Sequence, residues 1–361
     1  MNVEVLIYAY LVICLAMILF NVISIFVFEH NDKELDIKKD KFTKAVKKQI
    51  AQGEVDEEHK NYIYKKLLKT SNLMGYEETL KKLYQEDKDG VHRYLHQLID
   101  TFKELMFKYS KKENVQSAYF PYIISEYEIF KGLKDKEVNH LLLEQLKSPS
   151  IYNRENALCA IYSIGDEQNI FNALKVIDEN KYYHHQKLIS DGLFKYCKDN
   201  TKLHKCLWER KKEFSIEIQV AILDYLRFST DNLKEQMFEL LSDKYDSEIN
   251  YCAIRYFGRY YYEPAYEKLI GYLESDDDTH WEYKAITATA ILAYPSERTT
   301  NALKECLKNH NWYVRYNASQ TLKLLGLDYD DLRDIFEGDD RFAGDIMRYR
   351  IDQKKYVDQN A

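Results

Sequence analysis

The sequence feature that most constrains the fold is a pattern between residues 137 and 327 that returns with a period of about 32 residues. In its last copy, Arg315 precedes the small Ala318 by three residues, and apolar residues follow that Ala by four and seven. The first copy has the same spacing around Arg154 and Ala157. A helix that carries such a stripe cannot bury it alone, so neighbouring helix pairs have to stack. The period therefore predicts an all-α fold, an α-solenoid of helix pairs.

Weaker copies lie between these two. Ala221 stands two periods after Ala157, and Ala253 follows one period later. Trp281 falls about one period before Trp312, each at the start of a predicted second helix. The spacing predicts about six helix pairs, in which the Ala allows the second helix to pack closely on the first.

These motifs resemble those of the HEAT-repeat superfamily, especially the short bacterial HEAT-like repeats of about 31 residues. The resemblance is best in 137–165 and 296–327. It is partial in the four central units, where Gln, Ile, Asn or Lys stands in place of the Arg. The resemblance implies a solenoid whose second helices line a concave groove, and proteins of this type usually bind other proteins.

The N-terminus carries a second strong signal, an apolar run at 5–28 that contains no charged residue. As a helix the run is about 36 Å long, enough to cross a hydrocarbon core of roughly 30 Å with some tilt. A cleaved signal peptide is the alternative. Three features argue against a signal peptide. No Lys or Arg precedes the run, the run is longer than the apolar core of a signal peptide, and no small-x-small cleavage site follows it. We expect a retained transmembrane helix.

The segment after this run, 29–54, is predicted to be a basic juxtamembrane helix or linker, with an amphipathic helix near 38–51 and a flexible joint at Gly53. The positive-inside bias then keeps the large C-terminal part in the cytoplasm, at the inner face of the cell membrane. The lysines expected to lie near anionic lipid are Lys38, Lys39, Lys41, Lys44, Lys47 and Lys48.

Helical periodicity continues on both sides of the repeat array. Residues 55–136 are predicted to be helical, either as degenerate repeats or as a separate helical module, with Pro121 in the first turn of its helix. The predicted helices lie at 55–70, 76–87, 90–109 and 118–131. Residues 328–361 are rich in Asp and Glu and are expected to form C-terminal capping helices. Gly and Pro together number 15 of 361 residues, which argues against a sandwich or a barrel.

Candidate chemistry is sparse. The six cysteines show no CxxC spacing, and buried reduced thiols are expected. His92 and His96 stand at i and i+4, with Asp100 one turn on, a spacing that can hold a metal ion. Arg93 occupies the place of the Glu base in a zinc-protease motif, so two ordinary histidines are the favoured interpretation. His184-His185 and the run Asp276-Asp277-Asp278 are weaker candidates, and no cofactor or metal is expected.

Several function classes are disfavoured. No His-Glu dipeptide occurs, although an iron-dependent hydroxylase family of this superfamily depends on such pairs. A net charge of −7 and a pI near 5.9 argue against nucleic-acid binding. No phosphate-binding loop, nucleophile elbow or kinase signature is found, so no enzyme activity is assigned.

The favoured function is a membrane-anchored cytoplasmic scaffold or adaptor that binds a protein partner. Bacterial proteins with one N-terminal span followed by HEAT-like repeats are often associated with membrane glycosyltransferases of polysaccharide systems, and the similar architecture implies such a partner here. The alternatives are a HEAT-like enzyme or small-molecule binder, such as a bilin-lyase-like protein that uses the concave groove, and a signalling adaptor that responds to lipid charge.

The candidate protein-binding residues lie at or near the starts of the second helices or on their outward turns. Aromatic and Arg side chains are typical of binding hot spots. The alternative for Arg154 and Arg315 is that they brace the preceding repeat, and for Trp281 and Trp312 that they pack between repeats. The set comprises Asn153, Arg154, His185, Asn250, Arg255, Arg259, Trp281, Lys284, Trp312 and Arg315.

Overall fold

The computed structural model of the chain describes residues 3–358 apart from Lys181, Cys197 and Asp278. Cys197, expected to be a buried thiol, and Asp278, part of the acidic run, therefore lie outside the described residues. The described part of the chain forms helices and no β-strand, which confirms the all-α prediction. The chain divides into two compact units. Unit 1 is Met1–His184 with Lys195–Lys198, and unit 2 is His185–Phe194 with Asp199–Ala361.

Unit 1 contains nine of the helices that the structure describes. Their order in the chain is α1 (Val3–Gln52), α2 (Glu57–Leu67), α3 (Thr70–Glu86), α4 (Lys88–His96), α5 (Ile99–Tyr109), α6 (Asn114–Glu126), α7 (Lys136–Gln145), α8 (Ile151–Ile164) and α9 (Glu167–Glu179).

Helix α1 is one continuous helix of 50 residues. The charged patch after Phe28 contains neither Gly nor Pro, so nothing in it interrupts the backbone hydrogen bonding. The helix ends just before Gly53, whose φ of +77° is a left-handed conformation that favours glycine. The helix predicted near 38–51 is therefore the last part of α1 rather than a separate helix, and α1 ends next to Gly53, where the sequence predicts a joint.

The C-terminal half of α1 packs against α3 and α4. Phe42 and Val46 are buried on this side, and the Phe42 ring meets the Tyr76 ring edge-on with 5.5 Å between their centroids. The two helices approach most closely at Gly75, where a Cβ atom would lie 2.8 Å from Lys38 Cβ. The amphipathic face predicted near 38–51 thus belongs to the core of unit 1.

The N-terminal half of α1 is exposed. Among the described residues, one helix, at Tyr10–Gln52, is apolar and long enough to cross a membrane by length and composition. None of its most apolar 18-residue window is buried within the protein. The side chains of Leu15, Phe20 and Phe26 are 64%, 70% and 66% exposed, which is unlike a helix of a soluble core.

Two details between 55 and 136 differ from the sequence-based expectation. The single helix predicted at 90–109 is interrupted at Gln97 and Leu98, which separate α4 from α5. Helix α6 begins at Asn114, before the predicted residue 118, so Pro121 lies inside the helix rather than in its first turn. The first-turn prediction for Pro121 is wrong because it left the polar residues that precede Pro121 outside the helix.

Besides three short 3-10 helices at Lys211–Glu213, Glu263–Ala265 and Ile291–Ala293, unit 2 contains the remaining α-helices of the described chain. They are α10 (Gln186–Leu193), α11 (Asn200–Arg210), α12 (Ile216–Ser229), α13 (Lys234–Glu239), α14 (Ser247–Phe257), α15 (Tyr266–Glu274), α16 (Trp281–Ala290), α17 (Glu297–Cys306), α18 (Trp312–Leu324), α19 (Arg333–Phe336) and α20 (Arg341–Asp358).

Packing in unit 2 is regular. Each even-numbered helix packs against the next even-numbered helix, from α10 against α12 to α18 against α20. Odd-numbered helices contact the even-numbered helix that follows them, as α11 contacts α12 and α17 contacts α18. In the acidic C-terminal region, the short α19 contacts α20. The small residue Ala253 in α14 and its counterparts Ala221 and Ala318 are fully buried, as the spacing of the sequence pattern predicts.

Candidate functional site

Arg154 holds a loop of unit 1. Its Nη1 donates to the carbonyl oxygens of Ser148 and Pro149, each at 2.9 Å, and its Nη2 donates to the carbonyl oxygen of Tyr183 at 2.8 Å. The residue is only 3% exposed, and burial lowers the pKa of its guanidinium. Arg154 therefore stabilises the turn that leads into α8, the bracing role considered as its alternative.

Arg315 and Asn250 likewise stabilise the turns that precede their helices in unit 2. Arg315 Nη1 donates to the carbonyl oxygens of Asn309 at 2.7 Å and His310 at 3.2 Å, in the turn before α18. Asn250, which is buried, donates from Nδ2 to the carbonyl oxygen of Asp246 at 3.1 Å, just before α14. Each of the three side chains stands three residues before the Ala of its helix. Their role in partner binding stays a prediction, while the structure gives each of them a structural role.

Three other candidates differ in burial and in their contacts. Asn153 is buried and donates from Nδ2 to Ser117 Oγ at 3.1 Å. Lys284 is buried in α16. His185 caps the N-terminus of α10, where its Nδ1 accepts a hydrogen bond from the amide of Lys187 at 3.1 Å.

Arg255 and Arg259 line a cavity of about 470 Å³ between successive even-numbered helices of unit 2. The third arginine of this cavity is Arg227, from α12, and Thr289 and Asn317 add polar groups from α16 and α18. We call this space the arginine cavity. None of the described residues that line it is acidic, so three formal positive charges face one small volume.

The three guanidinium groups differ in their partners. Arg227 Nη2 lies 3.1 Å from Asp224 Oδ1, but its Nε is buried and makes no hydrogen bond in the described structure. Arg259 Nε donates to Tyr260 Oη at 3.3 Å. Within the described residues, Arg255 forms neither a hydrogen bond nor an ion pair. The positive charge in the cavity is therefore only partly compensated.

Small side chains make room for the cavity. At Gly258 a Cβ atom would lie 2.8 Å from Ala290 Cα and 2.9 Å from Ala290 Cβ, so α14 and the end of α16 touch through their backbones. Ile286 forms the apolar part of the wall. Nearby, the Cys252 thiol is buried, and burial raises its pKa to about 12. That thiol is protonated at neutral pH and is not a nucleophile.

A second feature is a group of four rings at the starts of α16 and α18, two of them exposed and two half-buried, which we call the aromatic patch. Trp281 stacks on Tyr313 with 5.5 Å between ring centroids and 15° between ring planes. Trp312 lies 5.2 Å from Tyr313 and 4.7 Å from Tyr316. Trp312 and Tyr313 are 52% and 57% exposed, so these rings are not buried between helices. Large exposed aromatic area of this kind is typical of binding hot spots.

The metal candidates are not supported by geometry. His92 accepts or donates a hydrogen bond between its Nε2 and Tyr84 Oη at 3.0 Å, and burial lowers its pKa. His96 and Asp100 are exposed, and the break between α4 and α5 removes the shared helical face on which the candidate depended. Asp277 caps its own turn, accepting from the amide of Thr279 at 2.8 Å. No group of three potential metal-ligating side chains occurs among the described residues.

The six lysines near the end of α1 divide into three classes. Lys38 and Lys47 form ion pairs with Glu34 and Glu86, with Nζ to carboxylate oxygen distances of 2.8 and 2.7 Å. Lys39 is half-buried against α3. The exposed lysines of this stretch that form no ion pair in the described structure are Lys41, Lys44 and Lys48.

Sequence reasoning missed Arg227 and Asn317. Arg227 stands one period before Arg259, so the repeat itself marks it as an equivalent position. Asn317 precedes its Ala by one residue, as Asn156 does. The two asparagines donate equivalent hydrogen bonds, from Asn317 to the Ala285 carbonyl oxygen at 2.7 Å and from Asn156 to that of Ala118 at 2.9 Å.

A search with family models finds no match to this chain, and a search of curated proteins also finds none. The resemblance to HEAT-like repeats therefore stays a prediction, now accompanied by the regular helix packing of unit 2.

Proposed function

We propose that the chain is a single-pass membrane protein whose cytoplasmic part is a HEAT-like α-solenoid that holds a protein partner at the inner face of the membrane. A membrane glycosyltransferase of a polysaccharide system is the candidate partner that the similar architecture suggests. The observation that carries the proposal is the aromatic patch. It presents exposed Trp and Tyr side chains on helices that belong to a regularly packed series.

The anchor is supported by the two halves of α1. Its first half is apolar and exposed, whereas its second half is fixed to α3 through Phe42, Val46 and the close approach at Gly75. No flexible joint separates them, because the helix is continuous to Gln52. A membrane segment attached in this way would hold unit 1 at a defined orientation rather than on a loose tether.

The continuous helix also restricts which lysines reach the lipid. At about 1.5 Å per residue, a helix along the membrane normal places Lys38 about 15 Å beyond Phe28 and Lys48 about 30 Å beyond it. Surface potential decays over a Debye length of about 8 Å at physiological salt. Attraction to anionic lipid is therefore expected mainly for Lys33. It is weaker for Lys38, which also pairs with Glu34, and is not expected for Lys44 or Lys48 unless the helix tilts strongly.

Partner capture tests the scaffold proposal. The tagged full-length chain, cross-linked in its native membranes and purified in detergent, is expected to retain a stoichiometric membrane protein. Trp312→Ala with Tyr313→Ala is expected to lose it, and Arg255→Ala with Arg259→Ala to weaken it, at unchanged helix content and melting temperature. Tyr349→Ala is the matched control, since Tyr349 is exposed in the same unit but lies outside the aromatic patch. Full capture by both folded double variants would refute the assignment.

Topology is tested separately with single cysteines. Gln320 is exposed on α18, and Asn2 precedes the apolar run. In intact cells, a maleimide that does not cross membranes is expected to label Asn2→Cys and to leave Gln320→Cys unlabelled until the cells are permeabilised. Labelling of Gln320→Cys in intact cells would place the large part of the chain outside and contradict the proposed orientation.

A further inference from the structure

The arginine cavity differs from the other charged surfaces of unit 2. Exposed arginines elsewhere in the unit are paired with acids, as Arg298 is with Glu267 and Glu274 at 3.0 and 2.7 Å. In the cavity, by contrast, Arg255 has no such partner. Arg227 pairs with Asp224 at 3.1 Å, but its buried Nε has no acceptor among the described residues. A buried guanidinium N–H without an acceptor costs free energy, and an anion in the cavity would supply one.

The charge and shape of the cavity favour phosphate over a single carboxylate. Three guanidinium groups match the two or more negative charges of a phosphate or diphosphate. The planar N–H groups of each guanidinium can bind two oxygens at once. Thr289 and Asn317 place a hydroxyl and an amide on the same wall. The volume of about 470 Å³ is within the usual range for small-molecule sites and exceeds what one carboxylate needs.

Phe228 supplies an apolar surface beside these charges. Its ring centroid lies 4.2 Å from the Arg227 guanidinium carbon and 5.1 Å from that of Arg259. The side chain is 47% exposed, so one part of the ring holds the two arginines in place while another part stays open to solvent. An organic group attached to the phosphate could pack on this open part.

We propose that the arginine cavity binds a phosphorylated small molecule through its phosphate or diphosphate group, held by Arg227, Arg255 and Arg259. This proposal does not rest on the scaffold function, because it concerns a ligand that binds with no partner protein present. Because residues from α12, α14, α16 and α18 line the cavity, ligand binding would make the packing of these successive helices sensitive to the ligand.

Isothermal titration of the full-length chain in a non-ionic detergent, with inorganic pyrophosphate as the probe, tests the proposal. We expect a dissociation constant on the order of 0.1–1 mM at physiological salt. Arg255→Gln with Arg259→Gln is expected to weaken binding about tenfold or more. Thr289→Trp is expected to weaken it as well, because the larger side chain fills the cavity without changing its charge.

The matched control removes two positive charges elsewhere in unit 2. Arg333 and Arg341 are highly exposed and form only single ion pairs at 3.4 and 3.3 Å, so Arg333→Gln with Arg341→Gln is expected to bind pyrophosphate as the wild type does. Melting temperature is measured for each variant. If the cavity double variant does not fold, Arg259→Gln alone, which changes an exposed side chain, replaces it.

Several results would overturn the proposal. One is the absence of pyrophosphate binding to the wild-type chain, and another is an equal loss in the Arg333 and Arg341 control, which would indicate general charge attraction. Wild-type affinity in Thr289→Trp would place the ligand elsewhere. A phosphate group could arrive on a free small molecule or on a lipid headgroup. Equal affinities in nanodiscs with and without phosphatidic acid support the free molecule, and competition by that lipid supports the headgroup.

Discussion

Replacing Gly75 with Ala is expected to loosen the contact between α1 and α3, because the structure leaves no space for the added methyl group. Its carbon would lie 2.8 Å from Lys38 Cβ and 3.5 Å from the Lys39 amide nitrogen. Carbon atoms in contact normally lie about 3.5–4.0 Å apart, so the helices have to separate by up to about 1 Å. Neither neighbouring atom lies at the end of a flexible side chain that could move away.

The magnitude follows from what this separation disturbs. The Thr79 hydroxyl lies 3.0 Å from the carbonyl oxygens of both Lys39 and Gly75, so its bond to Lys39 is a shared one. Phe42 packs edge-on against Tyr76 in the same contact. Overpacking of this kind costs about 1–3 kcal/mol, and a lost hydrogen bond about 1 kcal/mol. The higher helix propensity of Ala offsets up to about 1 kcal/mol. We expect the free energy of opening unit 1 to fall by about 1–3 kcal/mol in total.

Hydrogen exchange of the full-length chain in detergent measures this loss. Amides in the peptide 38–52 are expected to exchange about 5- to 150-fold faster in Gly75→Ala, the factor that corresponds to about 1–3 kcal/mol. Gly271→Ala is the control. Gly271 is also inside a helix, but no atom lies within 4 Å of the position that its Cβ would take, so a gain of about 0.5–1 kcal/mol is expected there. Unchanged exchange in 38–52 would mean that α1 does not dock on α3 as described.

Three further predictions concern single side chains. Arg154→Met is expected to cost about 2–4 kcal/mol by urea unfolding, because three carbonyl acceptors lose a charged donor, and the more exposed Arg315→Met about 1–2 kcal/mol; equal losses would contradict this order. Burial lowers the pKa of Lys211 to about 8 in the folded state, so between about pH 8 and 9.5 the unfolded state binds more protons and stability should rise with pH. Solvent screening limits the gain to about 1–2 kcal/mol, and Lys211→Met should abolish it in pH-dependent melting. Burial raises the pKa of Cys159 and Cys252 to about 12, so neither thiol should react with a disulfide reagent at neutral pH until the chain is denatured, as mass spectrometry would show.

Much of the helical architecture could be predicted because it depends on spacing. The repeat period places Ala221, Ala253 and Ala318 at fully buried positions, and the structure has them there. The uncharged run likewise predicts a helix that avoids the protein core. The continuity of α1 could also have been predicted, because no Gly or Pro interrupts residues 29–52. The change from apolar to charged residues after Phe28 was instead interpreted as the start of a new helix.

The site was less predictable, because spacing shows which face of a helix a residue occupies but not what its charged end contacts. Arg154 and Arg255 both lie near the starts or on the outward turns of second helices. The first reaches back to carbonyl groups of the preceding loop, whereas the second lines a cavity and makes no ion pair in the described structure. That difference depends on loop conformation, and on the small Gly258 that brings Ala290 close. Neither is visible in a helical pattern.

The choice between the two basic residue types adds an independent reason to connect these arginines with recognition and bracing. The chain strongly favours lysine, with 40 Lys against 12 Arg. A compositional preference of this strength leaves arginine mainly where lysine cannot substitute, and a planar fork that binds two acceptors at once is such a case. Arg154 uses two nitrogens, Nη1 on the carbonyl oxygens of Ser148 and Pro149 and Nη2 on that of Tyr183, whereas Arg315 holds two carbonyl oxygens through Nη1. Arg227, Arg255 and Arg259 make up a quarter of all the arginines and line one cavity. If charge alone were needed there, lysine would be the expected residue in this chain. The concentration of arginine therefore points to an acceptor with several oxygens, as a phosphate has.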